Sequence, residues 1–126
     1  MLKKHKYTLL WGLWTLMIIV LCLLPPSDLP DGPRIPNLDK IAHFTFYFGY
    51  TILFVLAFWK EKQWLPKLKI CYLWAFFTAL FLGEIIEVLQ AVLTTTRSAD
   101  VMDTVFNNFG TVVALLLMTK YQRAFR

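Results

Sequence analysis

Residues able to bind a ligand or transfer a proton are concentrated in three short stretches of this sequence. They are His43 in the first stretch, Glu87 and Gln90 in the second, and Arg97, Asp100, Asp103 and Asn107 in the third. A histidine beside carboxylates can take part in acid–base chemistry, and carboxylates and amides accept hydrogen bonds from hydroxyl and ammonium groups. An arginine adds a planar donor for phosphate or carboxylate. These side chains therefore suit either a binding site or an active site.

The same side chains match a metal site only in part. His43, Glu87, Asp100 and Asp103 are residue types that coordinate divalent metals, but one histidine among oxygen ligands makes a poor zinc site. Magnesium or calcium fits such a set better. The sequence contains no H-E-x-x-H or G-x-S-x-G motif. We predict no dedicated cofactor and note that the cluster could hold a divalent cation.

Four long apolar segments must position these residues. Apolar residues make up 58% of the 126, more than a soluble domain of this length could bury. A helix needs about 20 mostly apolar residues to cross a hydrocarbon core about 30 Å thick, and the runs are continuous rather than alternating, unlike barrel strands. We predict an all-α, integral membrane four-helix bundle that forms a single domain over residues 1–126, with helices at about 8–24, 41–59, 70–93 and 104–119.

The basic residues predict the direction of the crossings. Of the 13 lysines and arginines, all but Arg34, Lys40 and Arg97 fall on one side of the predicted membrane. That side carries Lys3, Lys4, Lys6, Lys60, Lys62, Lys67, Lys69, Lys120, Arg123 and Arg126. Cytoplasmic loops are enriched in Lys and Arg, so we expect both termini in the cytoplasm. Because these charges flank membrane spans in small groups, we expect no nucleic-acid partner.

With this orientation, the polar residues of three helices meet at the outer face. The apolar stretch from Ile70 to Gly83 spans roughly 21 Å by helical rise, so Glu87 falls in the outer half of the membrane. Asp39 and His43 are four residues apart and share a helix face. Ionisable groups at membrane depth usually face a bundle interior. We therefore expect one outward-facing polar site, with the first helix serving as packing and anchor.

Structural roles explain some of the same residues. Asp39 and Asp103 could each be the N-terminal cap of a helix, where aspartate is favoured. Glu87 and Arg97 could form an ion pair within a polar network that locks three helices together. Lys40 is interpreted as an interfacial anchor, whereas Glu84 has no assigned role. A transport function is disfavoured because the predicted inner half of the bundle is apolar.

Two runs of residues together resemble the VanZ-like family. The first run is Asp39-Lys40-Ile41-Ala42-His43-Phe44 with Tyr47, and the second is Glu87-Val88-Leu89-Gln90 followed by Arg97, Asp100, Asp103, Asn107 and Gly110. The resemblance implies a multi-pass protein of the bacterial cytoplasmic membrane. It also marks His43, Glu87, Gln90, Arg97, Asp100, Asp103 and Asn107 as the family's signature polar positions. The family takes its name from a protein linked to resistance to teicoplanin, a glycopeptide antibiotic that acts on the bacterial envelope.

We therefore expect these seven residues to bind a ligand rather than to catalyse a reaction. The expected partners are membrane lipid and an envelope component, such as a lipid-linked cell-wall precursor headgroup or a glycopeptide. The first alternative is a membrane-embedded enzyme that acts on a lipid or envelope substrate by metal-assisted or acid–base chemistry. The second is a structural, accessory or transport subunit. Antibiotic resistance is part of the expectation through the resemblance alone.

Overall fold

The chain is described here by a computed structural model that consists of four long helices and their connections. The described residues are 2–28, 31–32, 35–95 and 100–124. The helices are α1 (Lys6–Leu23), α2 (Leu38–Val55), α3 (Leu68–Leu93) and α4 (Val101–Tyr121). Short 3-10 turns lie at Leu2–His5 and Pro26–Asp28. These described ranges contain no strand, which confirms the all-helical prediction.

All four helices are long and apolar enough to cross a membrane. Their most apolar windows have mean hydropathies between 1.5 and 1.8. Large apolar side chains cover the outside of the bundle, as shown by Leu13, Phe81 and Val92, which are 64%, 68% and 73% exposed. Such a surface is unfavourable in water and matches the hydrocarbon of a bilayer. The protein is therefore a multi-pass membrane protein.

The fourth helix is longer than the sequence pattern predicted. It begins at Val101 and ends at Tyr121, rather than at 104 and 119. Its polar residues Asp103 and Asn107 are 7% and 4% exposed, because they face the other helices instead of lipid. A prediction from hydropathy alone makes such a helix too short, because it cannot distinguish a polar residue that faces the bundle interior from one that lies outside the membrane.

The second helix continues into a six-residue π-helix, Leu56–Glu61. The N–H of Lys62 donates to the carbonyl of Ala57 at 2.8 Å, five residues earlier. This wider turn ends at Glu61, whose carboxylate accepts the N–H groups of Tyr7 at 2.6 Å and Thr8 at 3.3 Å. The first N–H groups of a helix have no partner within it. Glu61 therefore caps the start of α1 from another helix.

The most extensive helix–helix contact is that between α2 and α4. At Gly110 the two backbones approach so closely that a Cβ would overlap the carbonyl oxygen of Phe44. On the other side of α2, the indole of Trp14 lies against Gly49 and donates to the carbonyl of Phe46 at 2.9 Å. Glycine at these two positions permits the close approach that membrane helices favour. The packing holds the first turns of α2 and α4 side by side.

Candidate functional site

A group of polar side chains occupies the end of the bundle at which α2 and α4 begin and α3 ends, here called the polar end. We use the name polar cluster for Asp39, Lys40, His43, Glu87, Asp100, Asp103 and Asn107. Three helices contribute to it: α2 the first three residues, α3 Glu87, and the start of α4 the remaining three. The geometry of the polar cluster follows from how each helix begins or ends there.

The first two turns of α2 supply Asp39, Lys40 and His43. Asn37 occupies the N-cap position of α2 in the left-handed conformation, with φ 59° and no side-chain cap hydrogen bond, so the interpretation of Asp39 as the cap was wrong. Asp39 instead lies one turn before His43, with Asp39 Oδ1 at 3.8 Å from His43 Nε2. The Asp39 side chain is 62% exposed and that of His43 only 4%. The polar cluster is therefore open to the surroundings at Asp39 and buried at His43.

The start of α4 is organised by Asp100, which is its N-cap residue. Asp100 Oδ1 accepts the N–H of Met102 at 2.9 Å, a bond that satisfies one of the unpaired donors of the first turn. The sequence-based alternative that Asp103 is the cap was wrong. Asp103 lies one turn further along and faces α2, where its carboxylate meets Lys40 and His43. Asn107 follows one turn later on the same face.

Lys40 is the cation that joins these elements. Its ammonium donates to Asp100 Oδ2 at 2.8 Å and to Asp103 Oδ1 at 3.0 Å, so its role is more than that of an interfacial anchor. Two hydrogen bonds lower the pKa of Asp100 below its usual value. The larger effect comes from the Lys40 ammonium and the smaller from the Met102 N–H. Asp100 is therefore a carboxylate at neutral pH. The sequence-based prediction did not include Lys40 in the site. The signal that could have identified it is the presence of four acids near the start of α2, since a group of carboxylates is stabilised by a nearby cation.

His43 is held by Asn107. Its Nδ1 lies 2.9 Å from Asn107 Oδ1, and an amide oxygen can only accept, so this contact assigns the proton to Nδ1. The other ring nitrogen, Nε2, then faces Asp103 Oδ2 at 3.4 Å. A buried imidazole with one nitrogen fixed by an amide and the other turned toward carboxylates is suited to accept a proton or a metal ion.

Glu87 joins α3 to the start of α4. It is 7% exposed, and its Oε2 accepts the backbone N–H of Asp100 at 3.0 Å. Its second oxygen, Oε1, is buried and has no hydrogen-bond partner among the described residues. The hydroxyl of Tyr47 is also buried and has no hydrogen-bond partner among the described residues. A buried polar atom without a partner is costly, so these two atoms are candidates for contact with a bound molecule.

Two predicted site residues stand apart from this arrangement. Gln90 is buried on α3, but its Nε2 donates to the carbonyl of Cys22 at 2.7 Å, which ties α3 to the end of α1. Arg97 lies outside the described residues. The role of either residue in ligand binding stays a prediction. The other five predicted residues, His43, Glu87, Asp100, Asp103 and Asn107, are all in the polar cluster.

Glu84 belongs to a different face of α3. It is exposed beside Phe81, Ile85 and Val88, next to a groove of about 440 Å³ that is also lined by Trp74 and Phe77. Gly83 and Glu87, by contrast, are buried toward the bundle. A Cβ at Gly83 would lie 3.2 Å from Asn107 Nδ2 and 3.5 Å from the Tyr47 hydroxyl. The extra acid is therefore separated from the polar cluster by the helix itself.

Fold and site together define a multi-pass helical membrane protein with its ionisable residues gathered at one end of a bundle. The chain belongs to the VanZ/LLP1 family, whose model matches residues 4–122. Membership suggests a membrane protein linked to glycopeptide resistance. Comparison with curated proteins and with solved structures gives no significant match.

Proposed function

We propose that the polar cluster binds the headgroup of a cell-envelope component, such as a lipid-linked cell-wall precursor, at the outer face of the bacterial cytoplasmic membrane. The orientation follows from the positive charges of the chain. Lys60, Lys62, Lys67 and Lys69 flank the opposite end of the bundle, and such residues favour the cytoplasm. The polar end then faces outward, with both termini inside. A headgroup would reach the polar cluster while its lipid tail stays in the bilayer.

The excess of acids in the polar cluster carries the proposal and defines the ligand chemistry. Asp39, Asp100 and Asp103 surround Lys40, which is the one Lys or Arg paired with them among the described residues. Glu87 adds a fourth carboxylate next to the backbone of Asp100. Such a site attracts hydrogen-bond donors, namely hydroxyl and ammonium groups. A sugar–peptide headgroup carries both. Glu87 Oε1, buried and unpartnered, is the acceptor best placed to receive one of these donors.

Binding of a polyprenyl-linked muropeptide to the protein in nanodiscs tests this proposal. The comparison ligand is the same polyprenyl phosphate without the sugar and peptide, and a chelator is present throughout. We expect tighter binding of the complete precursor, and at least about tenfold weaker binding by Asp103→Asn. Asp28→Asn, an exposed aspartate outside the polar cluster, is the matched control and should bind like the unaltered protein. Equal affinity for both lipids would contradict the proposal.

A second candidate function, acid–base catalysis on a lipid or envelope substrate, is favoured by one observation. Asn107 fixes the His43 ring with Nε2 turned toward Asp103, at 3.4 Å, and a positioned histidine is the commonest general base. Under this alternative, His43→Gln abolishes turnover of a bound precursor while binding persists. Recovery of the precursor chemically unchanged after prolonged incubation with the protein would count against the enzyme.

A further inference from the structure

Two aspartates of the polar cluster, the buried Asp103 and the exposed Asp39, each divide their oxygens between two neighbours. Asp103 presents Oδ1 to the Lys40 ammonium at 3.0 Å and Oδ2 to His43 Nε2 at 3.4 Å. Asp39 presents Oδ2 to Lys40 at 3.9 Å and Oδ1 to His43 Nε2 at 3.8 Å. One oxygen of each carboxylate is therefore directed at the same imidazole nitrogen.

His43 Nε2 is the ring nitrogen that faces these two oxygens. Asn107 Oδ1 lies 2.9 Å from the other nitrogen, Nδ1, so Nε2 is the nitrogen open to a ligand. A cation held between Nε2 and the two carboxylate oxygens would be attracted by both aspartates.

The separation between His43 Nε2 and Asp103 Oδ2 fits two ligand atoms around a shared metal ion. Ligands at about 2.1 Å from a cation lie about 3.0 Å apart in octahedral and about 3.4 Å apart in tetrahedral geometry. His43 Nε2 and Asp103 Oδ2 are 3.4 Å apart, and all three ligand atoms lie within 4.8 Å of one another. The remaining gap is at Asp39, whose exposed side chain is free to approach.

The carboxylate of Glu87 supports the same conclusion independently. Glu87 is 7% exposed and its Oε1 has no hydrogen-bond partner among the described residues. Its ionisable neighbours are Asp103, His43 and Asp100. Burying a carboxylate oxygen beside two aspartates without a donor is costly, and a cation in the polar cluster would lower that cost.

We propose that Asp39, His43 and Asp103 form a binding site for a divalent cation, Mn²⁺, at the polar end. Two carboxylates with one imidazole make a poor zinc set and suit Mn²⁺ better. Asn107 is a positioning residue that holds the ligand nitrogen of His43 toward the cation, as is usual behind metal-bound histidines. The site does not depend on headgroup binding, since none of its three ligands requires a bound lipid.

Titration of the metal-free protein with Mn²⁺ in phosphatidylcholine nanodiscs, without precursor, tests the proposal. We expect one saturable site, at least about tenfold weaker in His43→Gln and Asp39→Asn. Asp39→Asn guards against misfolding, because that side chain is exposed. Asp28→Asn should match the unaltered protein. Lys40→Gln should bind the cation more tightly, because it removes a nearby positive charge.

Equal affinity in the unaltered protein, Asp39→Asn and His43→Gln would overturn the proposal, and so would the absence of saturable binding. Neither result bears on the precursor-binding measurement, because that measurement is made with a chelator present. The failure of the metal site and the failure of the headgroup site are therefore distinguishable.

Discussion

The ammonium of Lys40, in the first turn of α2, lies 3.0 Å from Asp103 Oδ1, in the first turn of α4. This pair joins the two most closely packed helices at the end where their charges would otherwise repel. Lys40 also reaches Asp100 at 2.8 Å, so one cation offsets two acids. The polar cluster is thus both the junction of the helices and the candidate binding site.

Removing the Lys40 charge should lower thermal stability. In Lys40→Met, Asp100 and Asp103 lose their paired cation, and their mutual repulsion should lower the melting temperature by several degrees, as followed by tryptophan fluorescence. Adding Asp103→Asn should restore part of the loss, because it removes one of the repelling charges. Lys120→Met, at the other end of α4, is the control. A melting temperature for Lys40→Met equal to that of the control would contradict the pairing.

The close approach of α2 and α4 predicts a difference between two glycines. Gly110→Ala places a Cβ against the Phe44 carbonyl and should destabilise the bundle by about 1–3 kcal/mol. Gly12→Ala adds a methyl group where no atom of another helix lies within 4 Å, so it should be neutral or slightly stabilising. Chemical unfolding in detergent measures both. Equal stabilities for the two variants would be incompatible with the packing described.

The cap that Glu61 supplies to α1 predicts a local effect far from the polar cluster. Glu61→Ala leaves the N–H groups of Tyr7 and Thr8 without their acceptor and should cost about 1 kcal/mol. Hydrogen exchange at these two amides should accelerate, while precursor binding stays unchanged. Glu61→Gln keeps an acceptor oxygen and should recover part of the protection. Unaltered exchange in Glu61→Ala would show that the cap does not form.

The proposed orientation can be tested with two cysteine variants, since the native Cys22 and Cys71 are buried. Asp28→Cys, near the polar end, should react in intact cells with a maleimide that does not cross membranes. Gln63→Cys, in the lysine-rich connection, should react only after the cells are opened. The reverse pattern would place the polar end in the cytoplasm and exclude an outward-facing site.

The sequence predicted the helices well because their apolar runs are long. It also predicted that His43, Glu87, Asp100, Asp103 and Asn107 lie at the same end of the bundle, because helical spacing and the alternating direction of the helices place them there. Lys40 was missed because a lysine near a membrane boundary usually anchors at the interface. Gln90 shares a face with Glu87, yet hydrogen-bonds to the Cys22 carbonyl, because only the packing of α1 determines which neighbour that face meets.

Helix ends were the least predictable features. Asp39, Asp100 and Asp103 are the same residue type near helix starts, and only backbone geometry selects Asp100 as a cap. The π-helix at Leu56–Glu61 has no signal in hydropathy, since it changes hydrogen bonding without changing composition. Its consequence, the contact of Glu61 with α1, joins residues more than fifty positions apart.

A structure of the protein in lipid with the lipid-linked precursor bound tests the central claim most directly. We expect headgroup density in the polar cluster, with a hydroxyl or ammonium group within hydrogen-bond distance of Glu87 Oε1 and further contacts to Asp103. Headgroup density along the Glu84 groove instead, with Glu87 Oε1 still unpartnered, would contradict it.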